Sequence, residues 1–209
     1  MKLFYQTHSP YARKVLVAAH EMGIDHRLEV IHQETSPTRC NEEVFAFNPL
    51  GKVPVLICDD GLELFDSNVI CEYLDGMHQG QKLIPDEPTA RFHALRTQAL
   101  AQGIADAGIA VRWETERRPA SKRWRPMQVG QMQKIISACD FLEHLVDADN
   151  PPGATPHIGD IALATTLSWI EFRSVYDFSA ARPRLSSWYE RMCLRPSMLA
   201  TPLSGDTRD

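Results

Sequence analysis

Cysteine is scarce and scattered in this chain: there are five, Cys40, Cys58, Cys71, Cys139 and Cys193, and no Cys-x-x-Cys pair. An odd number at wide spacings argues against a disulfide framework and supplies no zinc-ligand set. The eight histidines are equally dispersed. None forms the i, i+4 pair with a neighbouring glutamate that marks a helical metal site, so no metal is expected. Long apolar runs are missing too. No stretch reaches the ~18 residues of a membrane span, and the N-terminus enters a short apolar strand without the ~7–15-residue apolar core of a signal peptide. The expectation is a protein of the reducing cytosol with no membrane partner. Positive charge is not in excess: 22 Lys and Arg against 27 Asp and Glu give a formal net charge of −5. That balance offers no basis for broad nucleic-acid binding. Internal repeats and low-complexity tracts are absent as well.

What is present is an ordinary globular composition, 44% hydrophobic and 23% charged over 209 residues, a length that favours two domains. Leu3–Tyr5 reads as a short buried strand. Ser9-Pro10 then supplies an N-cap and a proline at the first helical position, and Val15, Leu16, Ala19 and Met22 recur at helical spacing up to a stop at Gly23. A second strand follows around Arg27–Ile31, which makes a β-α-β unit with a parallel pair. Asn48–Lys52 is a turn before the apolar run Val53–Ile57, whose proline confines it to an edge or to the start of a strand. Asp59-Asp60-Gly61 turns the chain into Leu62–Phe65 as an antiparallel hairpin. Asp66 caps the next helix, with Val69, Ile70, Tyr73 and Leu74 on its buried face.

Residues 79–86, with Gly80 and Pro85, form the linker, and everything beyond reads as helix. Four helices are predicted at about 89–116, 122–147, 158–176 and 183–195. The first would bury Phe92, Leu95, Ala99 and Ala107, the second Met132, Ile135, Cys139 and Leu142, both as stripes suited to antiparallel bundle packing. The polar residues from Thr201 to Asp209 have little to bury and are expected to fray.

Three short constellations carry possible chemistry. Ser9 stands where a helix presents free N–H groups and partial positive charge, so it serves either as a plain cap or as part of a site that stabilises an anion such as a thiolate. In Gly51-Lys52-Val53-Pro54 a cis proline would expose the backbone of Val53 to an extended peptide ligand, the alternative being a simple turn before a strand. Asp66-Ser67-Asn68 places a carboxylate and a hydroxyl at a helix start, either as a cap or as a clasp for the ammonium and carboxylate of one amino-acid end.

In this order and spacing, Ser9–Val15, Asn48–Leu56 and Leu64–Leu74 resemble the glutathione S-transferase superfamily, and the resemblance extends over essentially the whole chain. It is nearest to bacterial members with Ser-Pro at the activating turn and with helical-half segments like Asp106-Ala107-Gly108 and Glu116–Pro119. It implies a thioredoxin-like α/β domain at 1–78, a linker at 79–86 and an all-α helical bundle domain at 87–209. It also implies glutathione as co-substrate, bound by Ser9, Lys52, Val53, Pro54, Asp66 and Ser67. Ser9 would be the catalytic hydroxyl, donating to the sulfur, and serine in place of the cysteine of omega-type members argues against thiol transfer. The second-substrate pocket would draw on Tyr11, Ile109, Arg112, Trp113 and Glu116 and take a small, hydrophobic electrophile in a detoxification reaction. A homodimer is implied as well.

One departure is His157 at the helix start where the family often has Ser or Thr; Asp160 matches and is read as structural. The basic stretch Arg117, Arg118, Lys122, Arg123 and Arg125 around Trp124 reads as a solvated inter-helix loop or as a rim for anionic second substrates. Two other functions remain open on this fold: a non-catalytic interaction protein of the stringent-starvation type, and a glutathione-dependent reductase or dehalogenase.

Overall fold

The computed structural model describes residues 1–146 and 156–206. Strand β1 (Lys2–Tyr5) pairs in parallel with β2 (Glu29–His32) and antiparallel with β3 (Val55–Ile57), which pairs antiparallel with β4 (Glu63–Leu64). The sheet order is therefore β2-β1-β3-β4. Helix α1 (Pro10–Glu21) connects the parallel pair and ends at Gly23, whose φ of +68° is the left-handed conformation that glycine adopts without a Cβ clash. The second strand starts two residues later than expected because Asp25–Arg27 close a 3₁₀ turn first. The Val53–Pro54 peptide is cis, as is Phe65–Asp66. Strand β3 begins only at Val55, after the proline that has no N–H for the ladder. A short helix α2 (Glu42–Phe45), capped by the Asn41 side chain, occupies the polar stretch for which no element is predicted.

Helix α3 (Ser67–Asp75) closes the sheet layer. It buries Ile70, Cys71 and Leu74, but Val69, assigned to the same face by its spacing, is 46% exposed. The helical half contains α4 (Pro88–Arg112), a π-helical turn (Trp113–Arg117), α5 (Arg125–Leu145), α6 (Ile158–Phe172), α7 (Pro183–Cys193) and α8 (Pro196–Leu199). The expected stripe on α5 is the buried one. On α4 it holds only in part: Ala107 is buried and Leu95 partly so, but Phe92 is 67% exposed and Ala99 is exposed, while Ala94, Ala101, Ile104, Ala105 and Val111 are buried besides. Helix α6 lies close to it. A Cβ at Gly159 would stand 2.5 Å from the Ala94 carbonyl oxygen, and one at Gly108 would stand 2.8 Å from the Trp169 ring. Only small side chains fit at these two crossings; Ile104 and Val111 are buried to either side of Gly108 in the chain, whereas Phe92 lies exposed.

The stretch 79–86 is anchored by the Asp75 carboxylate, which accepts from the Leu83 and Ile84 amides at 2.8 and 3.0 Å. Leu83 and Ile84 are themselves buried, and the core runs continuously from Leu3 and Val15 through Ile70 to Ile104, Ile161 and Trp188. Arg13 fastens α1 to the helical half, donating to Ser168 Oγ at 2.6 Å and to the Met198 carbonyl at 3.1 Å. At the far end of α1, Arg195 pairs with Glu21 at 2.8 Å. His157 does cap α6. Its Nδ1 accepts from the Asp160 amide at 3.1 Å, and Asp160 Oδ2 accepts from the His157 amide at 3.0 Å, a reciprocal box in which the imidazole nitrogen replaces a hydroxyl. The C-terminal stretch is held rather than frayed as far as it is described. Ser204 donates its amide to the Thr7 carbonyl at 3.1 Å, and its carbonyl accepts from Thr7 Oγ1 at 2.8 Å; residues 207–209 lie outside the described residues, as does residue 147 at the end of the second predicted helix.

Candidate functional site

Sheet register places the three constellations together. Phe4 faces Val55 and Leu56 faces Leu64, so the carboxyl ends of β1 and β4 and the amino end of β3 lie at one edge. Ser9, the Val53–Pro54 loop and Ser67 all leave the sheet from that edge, where open α/β sheets hold ligands. Ser9 is 7% exposed and its Oγ accepts from the Ala12 amide at 3.2 Å. Capping uses a lone pair, and the hydroxyl proton stays available for an outward acceptor. Val53 is buried beside β1 but lies outside the ladder that Val55 joins. Lys52 is exposed next to it, and its backbone carbonyl accepts from Asn48 Nδ2 at 2.8 Å.

Asp66 and Ser67 divide their roles. Asp66 Oδ1 caps α3 through the Asn68 amide at 2.9 Å, and Oδ2 lies 3.4 Å from Gln102 Nε2 on α4. Ser67 is 1% exposed, and its hydroxyl oxygen is buried without a hydrogen-bond partner among the described residues. An orphaned hydroxyl in the first turn of a helix costs free energy in the empty protein, and a ligand carboxylate would satisfy it together with the turn's free amides.

Behind these residues lies a polar network that joins the two halves. Asn68 Oδ1 accepts from Lys14 Nζ and from Gln98 Nε2, each at 2.6 Å, and Asn68 Nδ2 donates to Gln102 Oε1 at 2.7 Å. Burial pulls the Lys14 pKa down, opposed by Cys71 and Asp66, while burial pushes the Cys71 thiol up to about 11. Cys71 is therefore an inert thiol beside the site. Tyr11 donates to Asp106 on α4; burial and that hydrogen bond raise its pKa, so the phenol stays protonated. Trp169 on α6 donates its indole N–H to the His8 carbonyl at 3.0 Å.

Asp106, Ile109 and Trp113 follow one face of α4 away from Tyr11, and Ile109 and Trp113 are partly exposed there. Arg112 and Glu116 bond each other at 2.6 Å. The basic stretch is more ordered than a solvated loop: buried Glu114 accepts from Arg118 Nε at 2.9 Å and from the Trp124 amide at 2.8 Å, which leaves Trp124 64% exposed at the surface. His8 and Lys14 lie within the Thr7–Lys14 turn and Asn68 within Asp66-Ser67-Asn68 without an individual role expected of them, and Gln98, Gln102, Trp169 and Arg173 lie outside every candidate stretch. Only Lys14, a cation inside an apolar helix, carried a sequence signal; the others acquire their positions from tertiary packing.

Comparison with known proteins identifies the family. Residues 8–77 match the family model for the glutathione S-transferase N-terminal domain, and residues 94–191 that for the C-terminal domain. An uncharacterised GST-like protein of Escherichia coli (strain K12), YibF, is 34% identical over 203 residues, covering 96% of this chain and 98% of that protein. A glutathione transferase family member from Pseudomonas fluorescens Pf-5, solved with bound glutathione, superposes with a TM-score of 0.92 at 38% identity, covering 98% of this chain and 99% of that one. A second structure of a family member from the same source holds S-(propanoic acid)-glutathione and gives a TM-score of 0.87 at 38% identity, covering 98% of this chain and 100% of that one. With both domains matched, on a four-stranded mixed sheet joined to a helical half, the chain belongs to the glutathione S-transferase superfamily.

Proposed function

We propose that the protein is a glutathione transferase that activates the glutathione thiol for attack on a small electrophile. The observation that carries this reading is the Ser67 hydroxyl, buried and partnerless among the described residues, at the sheet edge it shares with Ser9 and the cis Val53–Pro54 loop. Glutathione supplies a group for each. Its γ-glutamyl carboxylate goes to Ser67 and the first turn of α3, its ammonium to Asp66, its cysteinyl backbone to Val53 as an added strand, and its sulfur to Ser9. The glutathione-bound Pseudomonas fluorescens relative supports the ligand. A free thiol ionises near ~8.5, so a hydroxyl donor at a helix N-terminus raises the thiolate fraction at neutral pH. The thiolate then attacks the electrophile directly. In an aromatic substitution, the C–S bond forms as the leaving halide departs with its electron pair.

The test is calorimetric titration with glutathione, followed by conjugation of chlorodinitrobenzene monitored as thioether formed against oxidised glutathione formed. Binding with thioether as the product is expected. No binding of glutathione overturns the reading, and oxidised glutathione as the sole product converts it to a reductase. We also propose a cytosolic homodimer that pairs the sheet half of one protomer with the helical half of its partner; a stable ~24 kDa monomer in sedimentation at micromolar concentration would remove that part.

A further inference from the structure

Helices α4 and α6 run parallel in a near-fixed register, and that register decides what stands beside the activating turn. Ala94 meets Gly159, Ala101 meets Thr166, and Gly108 meets Trp169. Arg112 lies one turn beyond Gly108, and Arg173 one turn beyond Trp169, so the two arginines arrive at neighbouring positions where the helices end. Trp169 is also the residue that holds the His8 carbonyl, which places this meeting point next to the residue before Ser9. Arg117 lies over the Trp113 ring at 5.2 Å and, with Arg112, is close enough to press down the pKa of Arg173, which burial lowers first.

A cation at a helix C-terminus normally spends its N–H groups on the last carbonyls of the helix. Arg173 does not. Its Nε and Nη2 are buried with no acceptor among the described residues, and its guanidinium lies 4.6 Å from the Phe172 ring centroid, a contact that uses none of the N–H groups. His8 is 6% exposed, and neither of its ring nitrogens has a partner among the described residues either. Buried donors without acceptors are costly, and two such groups converging beside one site indicate an acceptor that arrives from outside. Of the nearby carboxylates, Glu34, the one that draws the His8 pKa upward, is held by Gln6 and His32 at 2.7 Å each, Glu116 is taken by Arg112 at 2.6 Å, and Asp206 on the C-terminal segment draws the Arg173 pKa upward without an ion pair among the described residues.

We propose that Arg173 and His8, backed by Arg112 and Arg117, bind a carboxylate carried by the second substrate, so that the pocket selects anionic rather than purely hydrophobic electrophiles. This rests on the transferase reading. Ile109 and Trp113 line the way between this subsite and Tyr11 and would contact the body of the electrophile. Arg173 is suited to the role because its planar fork matches the two oxygens of a carboxylate.

The experiment measures binding rather than turnover. The para-carboxybenzyl and para-carbamoylbenzyl thioethers of glutathione differ in charge but hardly in shape, and each is titrated calorimetrically into the full chain beside glutathione itself. The wild type should prefer the carboxylate thioether by about tenfold or more, the loss expected when a hydrogen bond to a charged group is missing. Arg173→Gln should abolish the preference while binding glutathione as the wild type does, and Arg117→Gln, a substitution nearer the surface, should reduce it. Where Arg173→Gln does not fold, Arg117→Gln decides. Equal affinity for the two thioethers in the wild type, or an undiminished preference in the arginine variants, overturns the subsite and leaves the transferase reading standing. Failure of glutathione itself to bind removes both.

Discussion

Replacing Ser67 by alanine separates a ligand-binding hydroxyl from a structural one, because the two roles predict opposite effects on stability. Ser67 Oγ is buried without a partner among the described residues, and Asp66 rather than Ser67 caps α3 through the Asn68 amide at 2.9 Å. The variant therefore loses no hydrogen bond in the empty protein and sheds a hydroxyl whose uncompensated burial costs ~1–3 kcal/mol in other proteins. A small void offsets part of that gain, so stability should be unchanged or higher by about 1 kcal/mol, a shift in Tm of roughly 2–4 °C at most for a chain of this size. Glutathione should respond the other way. A lost hydrogen bond to a charged carboxylate costs roughly 1.5–3 kcal/mol, about ten- to hundredfold in Kd. Turnover at saturating glutathione should change little, since ground state and transition state lose the same contact. Calorimetric titration with glutathione and thermal melts on the same preparations provide both readings. Wild-type affinity in Ser67→Ala, or a fall of several degrees in Tm with no change in affinity, would refute the reasoning and make Ser67 a packing residue.

The remaining predictions concern the activating turn and the frame around it. Ser9→Gly keeps most of the N-cap stability that Ser9→Ala forfeits, roughly 0.5–2 kcal/mol, yet both should lose about one to two decades in conjugation rate, because each removes the donor to sulfur; turnover and bound-thiol pKa at wild-type values in Ser9→Gly would leave Ser9 a cap alone. Burial, with Arg173 adding to it, holds the His8 pKa at about 4, below its ordinary 6.5. Between those two values the unfolded chain binds more protons than the folded one, so stability should fall by up to about 3 kcal/mol as pH drops from about 6.5 to about 4, and His8→Asn should flatten that slope in denaturant unfolding. Gly159→Ala would set a Cβ 2.5 Å from the Ala94 carbonyl oxygen and 2.8 Å from Thr97 Cβ, forcing α4 and α6 apart. A loss of about 1–3 kcal/mol is expected in denaturant melts, and wild-type stability would mean the helices separate freely.

The parts of this protein legible in its sequence are those that local backbone chemistry dictates. Ser9-Pro10 marks a helix start whatever surrounds it; Pro54 limits where β3 can begin; Gly61 permits the hairpin turn with a φ of +87°. These same local features are the glutathione-facing ones, so that half of the candidate site could be read from three short stretches. Helix faces were less legible wherever size misled. Phe92, the largest apolar residue of the expected α4 stripe, is exposed, whereas α4 meets α6 at Ala94, Ala101 and Gly108, points where α6 comes too close for anything larger. Val69 departs from the expected face too: Cys71, not Val69, is buried with Ile70 and Leu74 on α3.

The second-substrate side follows from that hidden glycine-lined contact. Gly108 and Gly159 set the register between α4 and α6, and the register brings Arg112 and Arg173 together, though 61 positions separate them in the chain. No local motif encodes such a meeting, and spacing along either helix alone assigns Arg173 to an ordinary helix end. The same packing points Trp169 at the His8 carbonyl, so the α4–α6 contact that shapes the pocket also braces the turn that presents Ser9. A substitution that shifts α6 by even part of a turn should therefore alter electrophile preference and thiol activation together, whereas changes at Ser67, on the opposite flank of the site, should touch glutathione binding alone.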